Sequence, residues 1–249
     1  MILIQGKGVS KGVTNGPIYF FRRPDAKISD APAASIVEEK ARIGEAQEKS
    51  IIQLTNLAEK AREEAGDETA ILFETHTMFV EDDDYVECML TALEERSCTA
   101  ERAVEIAGEE FSTMLAAMDD PYMQARAADI KDVTRRILNN LMGIAEGGIN
   151  SEVPVILAAD DLAPSETLQL DKSKILGFIT QGGSGNSHTA ILARTMGIPA
   201  ICGLGESLKP EYNGREIYID GETGQAAIEP DELTLGTFQA KLDSQQEMK

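Results

Sequence analysis

The sequence predicts a mixed α/β domain that is interrupted by an inserted antiparallel helical bundle. Short apolar runs punctuated by glycine and proline open the chain, and the same texture returns in its second half. Between them lies a long segment rich in Ala, Glu, Lys, Leu and Met, a composition typical of helices. We therefore assign residues 1–30 and 144–230 to the α/β domain, 31–143 to the helical domain, and 231–249 to the start of a linker helix.

The α/β domain is predicted to form one sheet from strands at both ends of the chain. Apolar segments within residues 2–21 are separated by glycines and by Pro17, which is strand and turn punctuation. These first strands have too few partners to form a stable sheet alone, so we expect them to join the later strands. The later strands are expected at residues 153–159, 175–180, 200–202, 216–220 and 225–228, with a helix at 187–196.

The helical domain carries apolar residues at the i, i+3, i+4, i+7 spacing of one helix face. Such stripes are formed by Val86, Met89, Leu90 and Leu93, by Ala107, Phe111, Met114, Leu115 and Met118, and by Ile130, Val133, Ile137 and Leu141. Their methionine and phenylalanine side chains are predicted to be core. Polar clusters at residues 66–67, 81–84, 97–99 and 119–121 separate the helices and can supply capping oxygens. An antiparallel bundle of about four main helices is the simplest packing.

The charge of the chain restricts its partners. A formal net charge of −20 and a pI near 4.5 make nucleic acids and anionic membrane surfaces unfavourable partners, because their phosphates carry the same sign. The same field would speed association with a basic protein. Keeping the protein in solution is an equally good explanation of the charge, and composition alone does not decide between the two.

Cysteine usage and hydropathy indicate a reducing compartment. Cys88, Cys98 and Cys202 are widely spaced and form no C-x-x-C pair, so no zinc or redox motif is predicted and we assign them no role. The chain opens without a secretory leader, and no run approaches the roughly 18 apolar residues that a membrane span needs. We expect a soluble cytoplasmic protein.

The most informative segment is a glycine-rich loop that leads into a helix. Residues 182–194 read GGSGNSHTAILAR, with Ser187 as a good helix N-cap and His188 in the first helical turn. Backbone amides at such a turn favour negative charge by about 0.3–1 kcal/mol. A largely neutral imidazole at this place can attack a phosphoryl group, hold it in that field and release it later.

Other interpretations of this loop do not fit its spacing. The segment contains neither G-x-x-x-x-G-K-[ST] nor G-x-G-x-x-G, and Asn186 stands where G-x-S-x-G needs its last glycine. His76 is the only other histidine and has no H-x-x-x-H companion, so no metal site is predicted. A merely structural histidine at a helix start is the ordinary alternative, which the flanking glycines weaken.

The motifs around His188 resemble the phosphohistidine segment of Enzyme I of the bacterial phosphoenolpyruvate:sugar phosphotransferase system. The resemblance rests on Gly182-Gly183, on Ser187-His188-Thr189-Ala190-Ile191 with Ala193-Arg194, and on Gly197-Ile198-Pro199-Ala200 with Gly203. It extends over almost the whole chain and covers the amino-terminal half of that family. Further matching blocks, in the same order, lie at residues 6–16, 73–76, 81–82, 122–136 and 161–167.

The resemblance implies roles for individual residues of the α/β domain, which it makes a phosphohistidine domain. His188 accepts phosphate on its Nε2 atom, and the phosphate loop comprises Gly182, Gly183, Ser187, Thr189 and Arg194. Arg194 either supports this loop or pairs with an acidic neighbour. Asp129 and Thr167 are implied to lie beside the imidazole and help to set its rotamer. The residue types alone favour a helix N-cap for Asp129 and a backbone-bonded buried hydroxyl for Thr167.

The resemblance also implies a protein partner. The helical domain is expected to dock the histidine phosphocarrier protein HPr through an apolar surface ringed by acidic residues. The residues that match the binding region of the family are His76, Met78, Phe79, Asp82, Leu115 and Arg126. Each of them could instead be core or part of a solvated turn.

The activity implied for this chain is that of a phosphotransferase with a restricted reaction. In the family, phosphoenolpyruvate and magnesium bind a second half, which also forms the dimer and has no counterpart in this sequence. We therefore expect a monomer that exchanges phosphoryl groups reversibly with HPr, needs no cofactor and does not phosphorylate itself. The alternatives are a swivelling phosphohistidine domain of a pyruvate phosphate dikinase or phosphoenolpyruvate synthase, and a non-catalytic helical interaction module.

Overall fold

The chain divides into two units that each have their own core. The computed structural model describes residues 1–24, 27–145, 149 and 151–247. One unit comprises Met1–Arg23 and Gly147–Lys249, and the other comprises Pro24–Glu146. The first is mixed α/β and the second is helical, so the predicted fold class, an α/β domain with an inserted helical bundle, is confirmed. The first division predicted from the sequence, after residue 30, lies several residues beyond the division seen in the structure.

The α/β unit is built on a mixed sheet to which both ends of the chain contribute. Its described strands are β1 (Ile2–Gln5), β2 (Lys7–Ser10), β3 (Val13–Phe20), β4 (Val155–Ala159), β5 (Ile175–Thr180), β6 (Ala200–Cys202), β7 (Glu216–Asp220) and β8 (Gln225–Ile228). Their order is β1-β8-β7-β3-β4-β5-β6-β2. Strands β3 to β6 are parallel neighbours, while the other pairs are antiparallel. The expected pairing of the first strands with later ones is confirmed.

Strands β1 and β2 occupy the two opposite edges of the sheet although only Gly6 separates them. Because one extended residue spans only about 3.5 Å, the sheet must curl until its two edges approach each other. Gly6 is required at this corner, since a Cβ atom there would lie 2.7 Å from the carbonyl oxygen of Cys202. The interior of the curl is filled by β-branched side chains such as Ile18, Ile156 and Ile217.

The helical unit contains five α-helices in its described residues. They are α1 (Ile36–Ala65), α2 (Asp67–Val80), α3 (Asp83–Arg96), α4 (Ala100–Ala116) and α5 (Pro121–Met142). The expected number of about four is too small, because Asp82 caps a new helix where one longer helix was possible. Its carboxylate accepts a hydrogen bond from the amide of Tyr85 at 3.0 Å. Thr99 and Asp120 cap α4 and α5 in the same way, as the polar clusters predict.

Helices α1 and α2 run antiparallel. Arg62 near the end of α1 contacts Glu74 of α2, while Gln47 of α1 reaches the carbonyl of Val80 at the other end of α2. Helices α4 and α5 cross closely at Gly108, where a Cβ atom would lie 2.4 Å from the methyl group of Thr134. The prediction that stripe methionines are core is confirmed for Met89, which is fully buried. It is wrong for Met114, which is 48% exposed on the outer side of its stripe.

The described residues of the α/β unit also form three α-helices: α6 (Pro164–Gln169), α7 (His188–Met196) and α8 (Glu232–Glu247). Helix α6 connects β4 to β5 and α7 connects β5 to β6, so both are crossovers between parallel strands. Helix α8 packs Phe238 against Val13 and Ala227 of the sheet. None of the helices within the described residues has the length and apolarity that crossing a bilayer requires.

Candidate active site

The candidate site lies where the parallel strands β4 and β5 end. Ala159 and Thr180, the last residues of these strands, are paired in the sheet. The pairing continues beyond them, because the amide of Gly182 donates to the carbonyl of Asp160 at 2.7 Å. The glycine-rich loop after β5 therefore starts alongside the loop after β4. Ligands of open α/β sheets commonly bind at this carboxyl end of the strands.

The carbonyl groups of the glycine-rich loop are held by donors of the same unit. The carbonyls of Gly182, Ser184 and Gly185 accept hydrogen bonds from the amide of Gly203 at 3.1 Å, the amide of Ser187 at 3.0 Å and the guanidinium of Arg194 at 2.8 Å. These bonds fix the course of the loop and direct its carbonyl oxygens toward protein donors. An anion at the loop would therefore avoid the repulsion that outward-facing carbonyls cause.

Gly183 is needed for the shape of this loop. Its φ angle of +85° lies in the region that residues with a Cβ atom rarely adopt. A Cβ atom at this place would also lie 3.3 Å from Oγ of Ser187, the residue that caps α7. The glycine therefore lets the loop approach the start of the helix closely.

Helix α7 begins as the sequence predicts, with Ser187 as its N-cap and His188 as its first residue. Oγ of Ser187 accepts a hydrogen bond from the amide of Ala190 at 3.3 Å. The amides of His188 and Thr189 occupy the first two helical positions, which have no acceptor within the helix. This end of the helix is therefore electropositive and favours an anion by about 0.3–1 kcal/mol, and by up to about 2 kcal/mol when partly buried.

The side chains of this first turn point to different environments. His188 is exposed, so its imidazole is open to a large reactant. Thr189 is fully buried, and its hydroxyl lies 3.5 Å from Oδ1 of Asp161 in the loop after β4. His188 is therefore an accessible nucleophile on a helical turn whose position is fixed by the buried side chain of Thr189. The imidazole is not enclosed in the interior of the unit. A phosphoryl carrier requires this accessibility.

Two environments are expected for Arg194, support of the glycine loop or a pair with an acidic neighbour, and the structure shows the first. Its guanidinium donates to the carbonyls of Gly185 and Val9, and both bonds are to backbone atoms of the same unit. A guanidinium can hold two acceptors in a fixed plane. The residue therefore supports the glycine loop, although it touches that loop from the far end of α7.

Thr167 lies in α6 and is buried. Its hydroxyl donates to the carbonyl of Pro164 at 2.7 Å. This is the backbone-bonded environment that the residue type alone favours. Its implied role beside the imidazole of His188 stays a prediction.

Arg23 forms an ion-pair network near the site. This network was not predicted from the sequence. Its guanidinium donates to Glu166 at 2.8 Å, to the carboxylate of Asp160 at 2.6 Å and to the carbonyl of Asp161 at 2.5 Å. Glu166 also accepts the amide of Ala163 at the start of α6. Burial alone would raise the pKa of Asp160, but the Asp161 amide and Arg23 hold it below its ordinary value. The network fixes the loop that carries Asp161 beside Thr189.

Asp129 lies in the helical unit, in the middle of α5. The N-cap that the residue type alone favours is wrong, because Asp120 caps this helix. Asp129 accepts a hydrogen bond from Arg126 at 2.9 Å, and its other oxygen lies 3.3 Å from Nε2 of His76. Burial would raise the pKa of Asp129, but these two partners lower it below its ordinary value. Its implied role beside His188 stays a prediction.

The structure corrects two of the six residues expected on the docking surface. His76 is fully buried and Leu115 is 6% exposed, so neither side chain is open to direct contact with a partner. Leu115 instead packs against Ala127 and Ile130. The other four have exposed or half-buried side chains and remain candidates: Met78, Phe79, Asp82 and Arg126. Spacing along a helix did not reveal which side of α2 the neighbouring α5 covers.

Comparison with known proteins gives consistent matches over both units. Residues 5–126 match the family "PEP-utilising enzyme, N-terminal", and residues 151–224 match "PEP-utilising enzyme, mobile domain". The chain is 34% identical to a phosphoenolpyruvate-protein phosphotransferase of Priestia megaterium, over 99% of this chain and 43% of that protein. It is 33% identical to the Bacillus subtilis (strain 168) protein of the same name, over 96% of this chain and 42% of that protein.

Solved structures agree with these matches. A solution structure of Enzyme I (nEIt) superposes with a TM-score of 0.77 at 31% identity and covers 98% of this chain and 99% of that one. The amino-terminal domain of Enzyme 1 - Nitrogen, at a TM-score of 0.62 and 23% identity, shares the fold. Fold and matches together define the class of phosphoenolpyruvate-utilising enzymes. Within that class the chain belongs to the Enzyme I family of phosphotransferases, as an amino-terminal domain, and it spans 43% of the length of the Priestia relative.

Proposed function

We propose that this chain is a phosphoryl carrier of the sugar phosphotransferase system, in which Nε2 of His188 accepts a phosphoryl group and exchanges it reversibly with HPr. The exposed imidazole of His188 at the electropositive start of α7 is the single observation that carries the proposal. Membership of the Enzyme I family supports it, because relatives of this chain are named phosphoenolpyruvate-protein phosphotransferases.

The proposed transfer is an exchange between two imidazole rings. The lone pair of Nε2 of His188 attacks the phosphorus atom of phosphohistidine on HPr. The N–P bond of HPr breaks as the new N–P bond forms, and its electron pair remains on the HPr imidazole. Since a bond of the same kind is broken and made, the reaction runs in both directions. No water is consumed and no oxidant or reductant is needed.

The glycine loop and the first turn of α7 would bind the transferred group. The amide of Gly182 is used by Asp160, so we assign the binding to the loop beyond it and to the amides of His188 and Thr189. Ser187 and Arg194 contribute by holding the helix start and the loop in place. Thr167 and Asp129 remain proposed partners of the imidazole.

HPr is the proposed partner of the helical unit. Several apolar side chains of this unit are exposed: Ile71 at 56%, Met78 at 70%, Met114 at 48% and Tyr122 at 62%. The acidic residues Asp82, Asp83 and Asp84 begin α3 directly after the helix that carries Met78. Apolar side chains beside acidic ones suit a partner whose surface is apolar at its centre and basic at its rim.

We further propose that the exchange with HPr proceeds without magnesium and without phosphoenolpyruvate. The resemblance to Enzyme I implies that magnesium and phosphoenolpyruvate bind a second half of the longer family members. The same half is implied to form the dimer. For this chain we propose a monomer that acts in the cytoplasm. A sedimentation measurement that shows a dimer at micromolar concentration would contradict the proposal that the chain is a monomer.

The test is single-turnover transfer from HPr that carries ³²P on its histidine. We expect label to move to the intact chain, to be stable in base and labile in acid, and to return to unlabelled HPr. His188→Ala should accept no label, whereas His76→Gln, which changes the only other histidine, should still be labelled at saturating HPr. Transfer to His188→Ala would disprove the site, and no transfer to the intact chain would disprove docking of HPr.

A further inference from the structure

A chain of polar contacts leads from the interior of the helical unit to its surface. It starts at His76 in α2, which is fully buried, and continues to Oδ1 of Asp129 at 3.3 Å. The other oxygen of Asp129 accepts a hydrogen bond from Nη1 of Arg126 at 2.9 Å. Nη2 of Arg126 donates to the hydroxyl of Tyr122 at 2.6 Å. The buried imidazole is thus linked to a guanidinium near the surface through one carboxylate.

The outer end of this chain is held in a defined orientation. Cζ of Arg126 lies 4.6 Å from the centroid of the Tyr122 ring, which places the guanidinium in cation–π range. Tyr122 is 62% exposed, so the pair is at the surface of the unit. A guanidinium carries five N–H donors, so one that is fixed through two of its nitrogens still has donors to offer an incoming acceptor.

The inner end of the chain is difficult to explain as packing alone. Neither ring nitrogen of His76 has hydrogen-bond geometry with a partner among the described residues, although Nδ1 lies 3.8 Å from Oδ2 of Asp132. Phe73 contacts the imidazole edge-to-face at 5.7 Å between ring centroids. An apolar side chain in this place would avoid the cost of burying the polar nitrogens. Its contact with Asp129 gives the imidazole a use that an apolar residue lacks.

We propose that His76 and Asp129 are positioning residues that fix the guanidinium of Arg126 on the docking surface for an anionic or carbonyl acceptor of the partner. This inference rests on the proposed function and deepens it. His76 does not touch the partner. It keeps the carboxylate of Asp129 in the rotamer that orients Arg126, so that the guanidinium loses little conformational freedom when the partner binds.

The test is a double-mutant cycle on the exchange with HPr. His76→Phe keeps an aromatic ring in the cavity but removes its nitrogens, and we expect it to raise the KM for HPr by about fivefold with kcat unchanged. Arg126→Ala should raise the KM by a similar factor. The double variant should show no further rise, because both changes remove the same contact. The proposal would be overturned if His76→Phe raised the KM for HPr by the same factor in the parent protein and in Arg126→Ala. It would also be overturned if His76→Phe left the KM unchanged.

A control variant separates positioning from general destabilisation. Ser50 is buried in α1 and bonds to the carbonyl of Ala46 and to Asn140, within the same unit. Ser50→Ala should lower the melting temperature without a change in KM. If His76→Phe fails to fold, His76→Gln replaces it in the same cycle.

A second measurement needs no partner and therefore keeps this inference separate from the proposed function. The Nε–Hε NMR signal of Arg126 should be resolved and slowly exchanging in the parent protein, and broadened or averaged in His76→Phe. Identical signals in the two proteins would overturn the proposal. Absence of phosphoryl exchange in the parent protein, combined with the expected NMR difference, would disprove the proposed function and leave the positioning role supported.

Discussion

The guanidinium of Arg194 donates to the carbonyl oxygen of Gly185 at 2.8 Å, which ties the last turn of α7 to the loop that precedes its first turn. A second bond to the carbonyl of Val9 connects the same side chain to β2. One residue therefore couples both ends of the helix that carries His188 to their surroundings. The loop is short and rich in glycine, so such a tie is needed to keep one conformation.

Replacement of Arg194 by Gln tests this tie. We expect the phosphoryl-transfer rate to fall about tenfold, because a looser loop holds the transferred group less well. Arg215→Gln removes an exposed pair with Glu229 in the same unit and serves as the control. Rapid-quench single-turnover assays should show a reduced transfer rate for Arg194→Gln and an unchanged transfer rate for Arg215→Gln. Equal rates in both would mean that the bond to Gly185 has no part in transfer.

Gly183→Ala tests the shape of the glycine loop. The φ angle of +85° costs about 1–2 kcal/mol for a residue with a Cβ atom, and the new methyl group would press on Ser187. We expect lower stability in urea unfolding and a slower transfer. Gly185→Ala is a matched control, because a Cβ atom there meets nothing within 4 Å. Similar losses in the two variants would contradict the assigned role of the positive φ angle.

Ser187→Ala tests the helix cap. Loss of the hydrogen bond to the amide of Ala190 should reduce stability by about 1 kcal/mol and shorten the lifetime of phosphohistidine on His188. Thr99→Ala removes the corresponding cap of α4 in the other unit. It should cost a comparable amount of stability in that unit while the phosphohistidine lifetime stays the same. A shortened lifetime in Thr99→Ala would show that the effect is not local to α7.

The docking of α8 is expected to depend on pH through Asp220. Its buried carboxylate accepts the amides of Glu222 and Thr223 and pairs with Lys241 of α8. Burial would raise the pKa of Asp220, but Lys241 and the two amides lower it below the ordinary value of 3.8. The ionised form therefore stabilises the folded state at neutral pH, and this contribution is lost as the pH falls below 3.8 and through the folded-state pKa.

Asp220→Asn measures that contribution. At pH 7 the variant should be less stable by about 2 kcal/mol, which is typical of hydrogen bonds to a buried charged group. The difference in unfolding free energy between parent and variant should shrink as the pH falls from 5 to 2. A difference that stays constant over this range would show that the ionisation of Asp220 does not support the packing of α8.

The sequence predicted the local features of the fold because they depend on neighbouring residues. Ser187 caps α7 through its own side chain, and Asp82, Thr99 and Asp120 do the same for their helices. The pairing of the first strands with the later ones followed from a shortage of partners. Capping side chains were sufficient to predict the helix starts, and the number of strands was sufficient to predict the pairing.

The features that the sequence did not reveal depend on contacts between distant segments. Arg23 meets Glu166 across 143 positions of the chain, and no local pattern marks such a pair. His76 belongs to a matching block yet is buried, because α5 brings Asp129 and Asp132 against it. Helix α8 has a weakly apolar sequence and still packs Phe238 onto the sheet. Tertiary packing, which single-sequence patterns do not encode, decides all three.

Locating the phosphate on the chain after exchange with phosphorylated HPr tests most directly whether His188 is the phosphoryl acceptor. A ¹H–¹⁵N correlation spectrum of the imidazole groups distinguishes Nε2 from Nδ1 substitution and His188 from His76. We expect a single phosphohistidine, with phosphorus on Nε2 of His188. Phosphate on His76, on Nδ1 of His188 or on neither histidine would contradict it.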